Sequence, residues 1–256
     1  MTDFADSIRK AAEDKERELK TKPLVPEYVA QAADESGVDA RVLSYYDPKS
    51  NVTENYRVIY THLKANIKDN DKILAITSAT NSEGKSITAC NLAVVMARDF
   101  KKKVMLIDCN LRKPMLDVYL NLDNAPGLAD ILNNQKNIQD VIQPTRCDRL
   151  FAVTSGTNSI NPVELLNQPK LKELLQSIRN SFDYVLLDTP AIIPYSDFKV
   201  IAPVIDGVLM SVRANFTRRE VVKRATSILD NLDVNTAGFV LTDVQYHIPD
   251  FIYRHL

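Results

Sequence analysis

Gly84, Lys85 and Ser86 stand where an apolar run passes through a polar loop into a helical segment, ILAITSATNSEGKSITACNLA, residues 73–93. A chain grips a nucleoside triphosphate in this way: backbone N–H groups converge at a helix N-terminus, a lysine reaches the β and γ phosphates, and a serine or threonine hydroxyl binds Mg²⁺. Lys85 and Ser86 fill the two side-chain roles. Thr80, Asn81, Ser82, Glu83, Gly84 and Ile87 complete the candidate nucleotide-binding loop. The loop is short of glycine, since Ala79 takes the place of the first glycine in GxxxxGK[ST]. Asn81 and Ser82 can still form a phosphate nest, with serine bearing the cost of any positive φ.

Two carboxylates end apolar runs elsewhere, Asp108 after VMLI and Asp188 after YVLL. A carboxylate at the end of a strand beside a phosphate-binding loop (P-loop) is placed to bind Mg²⁺ directly or through water, and Asp188 reads as a Walker B aspartate. The alternative for either residue alone is a helix-capping aspartate.

The elements that must position these groups are legible as an alternation. Short apolar runs fall at 73–77, 104–107, 150–154, 184–188, 207–212 and 237–241, with helical periodicity between most of them. Apolar runs without strict alternation predict strands buried on both faces, hence a doubly wound α/β domain with a mostly parallel sheet flanked by helices. Ligands of such sheets sit at the carboxyl ends of the strands, where Lys85, Asp108 and Asp188 fall. Ahead of the first strand, Val58, Ile59, Leu63 and Ile67 predict a helix from Thr53 to Lys68 with Thr53 as its cap. Residues 4–20, dense in charge, read as a solvated helix, and 21–28, with two prolines, as a linker. The division expected is an N-terminal extension over 1–48, partly helical or disordered, and a P-loop domain over 49–256.

Bulk properties narrow the function. The 256 residues are 45% hydrophobic and 25% charged, ordinary for a globular chain, and a net charge of −1 argues against a general binder of nucleic acid or anionic membrane. No apolar run is long enough to span a bilayer and the N-terminus lacks a signal-peptide core, so a cytoplasmic chain without direct membrane insertion is expected. Cys90, Cys109 and Cys147 show no CxxC spacing and read as packing residues. His62, His247 and His255 are scattered and form no constellation.

With these residues in view, the chain from 43 to 243 resembles the bacterial tyrosine kinases (BY-kinases), P-loop autokinases of capsule and exopolysaccharide systems. The family's ExxRxxR helix is represented by Glu54 and Arg57, with Tyr60 at the third position. VMLIDCNLRKP at 104–114 matches the LIDxDLRxP element except at Asn110. Pro126, Gly127 and Leu128, then Asn161, Pro162, Glu164, Leu165 and Leu166, reproduce the pGL and NPxELL signatures; FDYVLLDTP and DGVLMSVR complete the series. The related ParA and MinD ATPases share the P-loop NTPase fold but carry a signature lysine where this chain has Thr80. The HRD and DFG tripeptides of eukaryotic-type kinases are absent from the sequence.

The resemblance implies an ATP- and Mg²⁺-dependent protein-tyrosine autokinase that regulates polysaccharide polymerisation and export. It gives Lys85 the β and γ phosphates, Asp108 a place near the γ phosphate beside the attacking tyrosine hydroxyl, and the metal to Ser86, Asp188 and the position of Asn110. It also implies a separate transmembrane adaptor of the chain-length-determinant type, recruitment to the inner face of the membrane, and self-association into a ring through Glu54 and Arg57. The plain alternative for that pair is an (i, i+3) salt bridge. Tyr246 and Tyr253 in the tail are the phosphoacceptor candidates, ordinary packing or surface tyrosines being the alternative. Asn110, the glycine-poor loop and the sparse tail also motivate a second reading, a regulatory scaffold weakened in phosphoryl transfer; a MinD-like ATPase is a third.

Overall fold

The structure, a computed structural model, describes residues 26–157, 161–167 and 169–244. The helix expected at 4–20 and the tail tyrosines Tyr246 and Tyr253 lie outside the described residues.

Three helices precede the sheet: α1 (Glu27–Ser36), α2 (Leu43–Tyr46) and α3 (Asn51–Asn66). Helix α1 starts directly after Pro26, so the last two residues of the expected 21–28 linker are helical. Helix α3 begins before the expected Thr53. Ser50 is its cap, accepting from Thr53 N at 3.1 Å, while the buried Thr53 hydroxyl donates to Asp47 O at 2.7 Å. Both residues are capping types, and the carbonyl of Asp47 draws the threonine hydroxyl away from the helix end.

The core is one sheet of seven strands: β1 (Ile73–Ser78), β2 (Val104–Asp108), β3 (Gln143–Pro144), β4 (Leu150–Val153), β5 (Tyr184–Asp188), β6 (Gly207–Arg213) and β7 (Thr236–Thr242). Their order is β3-β4-β2-β5-β1-β6-β7, and every pair is parallel except β3 with β4. The six strands expected from apolar runs are present; β3, two residues ending in proline at the sheet edge, has no apolar run to announce it.

Alternate residues of the central strands feed opposite faces. Leu74, Ile76, Val104 and Leu106 pack with α3 and with α4 (Lys85–Arg98), whereas Ile73, Met105, Ile107, Val185 and Leu187 pack with α6 (Leu128–Leu132), α8 (Pro162–Leu166) and α9 (Pro169–Ile178). Burial on both faces is why these strands read as continuous apolar runs. Ala75, Val208 and Met210 meet Phe198 of α10 (Asp197–Ile201) and Ala225 and Leu229 of α11 (Arg219–Asn231). Two short helices, α5 (Leu116–Leu120) and α7 (Ile138–Val141), complete the set. Helix α4 is buried almost all round, from Thr88 to Ala97, which makes it a rigid mount for the lysine at its first position.

The signature elements have structural explanations. In NPVELL, Asn161 caps α8, Pro162 sits in the first turn and Glu164 answers the cap, accepting from Asn161 Nδ2 at 2.9 Å. Gly127 lies so close to the next strand end that a Cβ there would stand 2.4 Å from both Gly156 N and Thr154 O.

Candidate active site

The sheet register brings the candidate groups together. Asp108 and Asp188 are paired neighbours at the ends of β2 and β5, and Asp188 is in turn opposite Ile76 of β1, two residues before the P-loop departs at Ser78. The loop then delivers Lys85 and Ser86 to the N-terminus of α4.

Glu83 organises that loop. Its carboxylate is fully buried and accepts from Ala79 N at 3.0 Å, from the Thr80 hydroxyl at 2.8 Å and from the Thr217 hydroxyl after β6. The Thr242 hydroxyl at the end of β7 donates to Glu83 O at 3.0 Å. Gly84 takes φ 78°, and a Cβ on it would meet Thr242 Cγ2 at 3.2 Å. Glycine is therefore favoured here by conformation, and any side chain would also press on Thr242 of β7. Ser82 is exposed and holds φ 64°, a left-handed conformation that costs serine more than glycine. Asn81 donates from Nδ2 to the Tyr195 hydroxyl at 3.2 Å, and Ile87 is half-buried on the core beneath α4.

The two aspartates differ in their partners. Asp108 accepts from Asn110 N at 3.0 Å, Met115 N at 3.0 Å and Leu116 N at 3.1 Å, so it caps the loop into α5 while remaining beside Asp188 of β5, the strand between β2 and β1. Both oxygens of the buried Asp188 lack a hydrogen-bond partner of ordinary geometry among the described residues. Burial raises the pKa of both carboxyls. The charge of Asp188 raises Asp108 further, whereas the Lys85 ammonium and the Ser86 hydroxyl partly offset the rise at Asp188. An orphaned, buried carboxylate beside a lysine and a P-loop hydroxyl is a donor set that suits Mg²⁺, which takes one or two carboxylates and completes its shell with water and substrate phosphates. Among the described residues no cluster of three or more His, Cys, Asp or Glu side chains gathers, so this site offers its two aspartates with the Ser86 hydroxyl.

Asn110 is nearly buried and its amide is in use, donating from Nδ2 to Lys113 O at 2.9 Å to close a turn. An aspartate could not make that bond. Glu54 and Arg57 are bonded to each other at 2.5 Å, and Arg57 also holds Asp99 at 2.8 Å and Pro48 O at 2.6 Å, tying α3 to the end of α4. Cys109 is fully buried and its thiol is pushed well up, chiefly by burial, which removes the thiolate a redox role needs.

Sequence reading missed Arg112, Asp197, Tyr195 and Thr217 around the loop. Arg112 Nε donates to the fully buried Asp197 at 2.8 Å, and its guanidinium stacks 4.8 Å from the centre of the Tyr195 ring. Arg112 lies inside a motif already noted, but Tyr195 and Thr217 belong to loops without a spacing signal.

A mostly parallel sheet with a loop after one of its inner strands that leads to a lysine at a helix N-terminus, and two aspartates ending adjacent strands, defines a P-loop nucleotide-binding protein. A family model described as an AAA domain matches residues 71–230. Tyrosine-protein kinase YwqD of Bacillus subtilis is 34% identical over 80% of this chain and 87% of its own length. Tyrosine-protein kinase ptk of Acinetobacter johnsonii is 31% identical over 68% of this chain, which spans only 24% of that longer protein. Among solved structures, the kinase domain of Escherichia coli tyrosine kinase ETK superimposes with a TM-score of 0.75 at 27% identity, covering 81% of this chain and 83% of that one. The chain belongs to the bacterial tyrosine kinase family.

Proposed function

We propose that this chain is an ATP-dependent protein-tyrosine autokinase that regulates exopolysaccharide or capsule polymerisation and export. The observation that carries the chemistry is the pairing of Asp108 with the partnerless, buried Asp188 beside Lys85 and Ser86. Lys85 binds the β and γ phosphates, and the N–H groups of residues 80–87 cradle them at the α4 N-terminus. Ser86 and Asp188 hold Mg²⁺, with the Asn110 position next to them. Bound Mg²⁺ neutralises charge that develops on the phosphates during transfer. Asp108, paired with Asp188 at the strand ends, would lie near the γ phosphate and assist the attacking tyrosine hydroxyl. Phosphoryl transfer needs alignment and charge neutralisation more than covalent help, so this set is sufficient.

In this reading residues 49–256 are the kinase domain and 1–48 its N-terminal extension. The partner is a separate transmembrane adaptor of the chain-length-determinant type, which recruits the kinase to the inner face of the membrane. Copies assemble into a ring through the α3 surface that carries Glu54 and Arg57, and Tyr246 and Tyr253 serve as acceptors between them. No helix among the described residues is long and apolar enough to cross a membrane.

The test is phosphotyrosine formation by the purified chain with ATP and Mg²⁺, with and without the adaptor's cytoplasmic segment. Phosphorylation is expected, and Lys85→Met should abolish both it and ATP binding by calorimetry. A chain that binds ATP yet gives no phosphotyrosine even with the adaptor segment would be a nucleotide-binding scaffold instead.

A further inference from the structure

Eight of the ten tyrosines fall within the described residues, and seven of these are engaged away from the P-loop. Tyr56, Tyr60 and Tyr119 are buried, Tyr45 and Tyr46 pack edge to face at 4.8 Å, and Tyr28 donates to Asp47. Tyr184 opens β5, at the end of the sheet opposite the site. Tyr195 differs. It is half-buried on the loop between β5 and α10, and its hydroxyl accepts from Asn81 Nδ2 at 3.2 Å.

Two contacts fix the ring there, and a third anchors one of them. Asn81 holds the hydroxyl, the Arg112 guanidinium lies 4.8 Å from the ring centre, and Asp197, fully buried at the start of α10, anchors Arg112 at 2.8 Å. The bond from Asn81 uses a lone pair of the tyrosine oxygen and leaves its proton free to depart. Asn81 belongs to the loop expected to wrap the β and γ phosphates, so its bond holds the Tyr195 hydroxyl against that loop.

We propose that Tyr195 is a phosphoacceptor of this chain's own active site, modified within the same molecule. The inference rests on the kinase reading above and names a substrate of it. A bond forms between Tyr195 Oη and the γ phosphorus of ATP, and the bond from that phosphorus to the β–γ bridging oxygen breaks. ADP leaves with the electron pair, and the hydroxyl proton is released to solvent. The tail tyrosines have to come from a flexible segment or a neighbouring copy; Tyr195 is already held against the loop, so orientation favours it.

The full chain incubated with ATP and Mg²⁺ and digested with trypsin gives one peptide, residues 180–199, that contains both Tyr184 and Tyr195. Fragmentation of this peptide in the mass spectrometer should place phosphate on Tyr195, at an initial rate per molecule that does not change over a hundredfold dilution. The signal should persist in the double variant Tyr246→Phe with Tyr253→Phe and be lost in Tyr195→Phe, which retains the ring under Arg112. Phosphate on other tyrosines but not on Tyr195, or a Tyr195 rate that falls in proportion to protein concentration, would overturn the proposal and leave the kinase reading intact. Absence of phosphotyrosine at every position would overturn both.

Discussion

Glu83 accounts for a phosphate loop that keeps its shape with few glycines. Where glycine would let the backbone turn freely, this carboxylate collects Ala79 N–H, the Thr80 hydroxyl and the Thr217 hydroxyl in one buried site. A side-chain acceptor thus imposes a turn that backbone freedom imposes elsewhere. Glutamine in its place has nearly the same shape but presents an NH₂ group to one set of donors. Glu83→Gln should therefore weaken ATP binding by roughly tenfold, about 1.4 kcal/mol, read by calorimetry. Thr217→Val, which removes one donor, should weaken it less. Unchanged affinity in Glu83→Gln would mean that the loop is shaped by its backbone alone. Asn110 makes a related point, because its use as a turn-closing donor to Lys113 explains an amide where the family pattern has a carboxylate.

At the scale of elements, the central strands were legible because burial on both faces leaves an apolar signature that survives without neighbours. Asp108 and Asp188 were legible for the same reason, since each ends such a strand, and Lys85 because its loop follows one. The antiparallel edge β3 and the ring of Arg112, Tyr195, Asp197 and Thr217 were not, because their pairings depend on loops brought together by the fold. The docking of α1 and α2 is a similar case. It turns on Asn91, buried in the middle of α4, whose Oδ1 accepts from Ser44 N at 2.8 Å and whose Nδ2 donates to Arg41 O and Ile87 O, each at 3.0 Å. Nothing in the periodicity of α4 separates that asparagine from a misplaced polar residue. Asn91→Leu keeps the volume but strands the Ser44 N–H and the Arg41 carbonyl, a loss of about 2–4 kcal/mol. The segment 27–46 should then become cleavable in limited proteolysis under conditions where the unaltered chain resists, and an unchanged cleavage pattern would show that Val29, Val38 and Val42 hold it without the polar tie.

The whole molecule carries the aspartate pair as a cost to its stability. Burial raises both pKa values, and the charge of Asp188 raises Asp108 further, whereas in the unfolded chain both ionise near pH ~4. Between those ranges the native state binds more protons than the unfolded state, so stability falls as pH rises. The contribution is complete below the unfolded values and is lost as pH climbs through the raised native ones. Asp188→Asn removes one of the two charges with little change of shape. In the nucleotide-free protein it should increase stability at pH 8 by about 1–3 kcal/mol and at pH 5, where the pair is largely protonated, by far less. Urea denaturation at the two pH values reads the difference, and an equal effect at both would mean that the pair is not strained by its own charge. With ATP and Mg²⁺ present at pH 8 the order should reverse, because the unaltered chain gains stability by binding in proportion to the logarithm of ligand over Kd and the variant forfeits the carboxylate that holds the metal. A site that destabilises the fold when empty and stabilises it when filled is the behaviour expected of carboxylates placed for a cation.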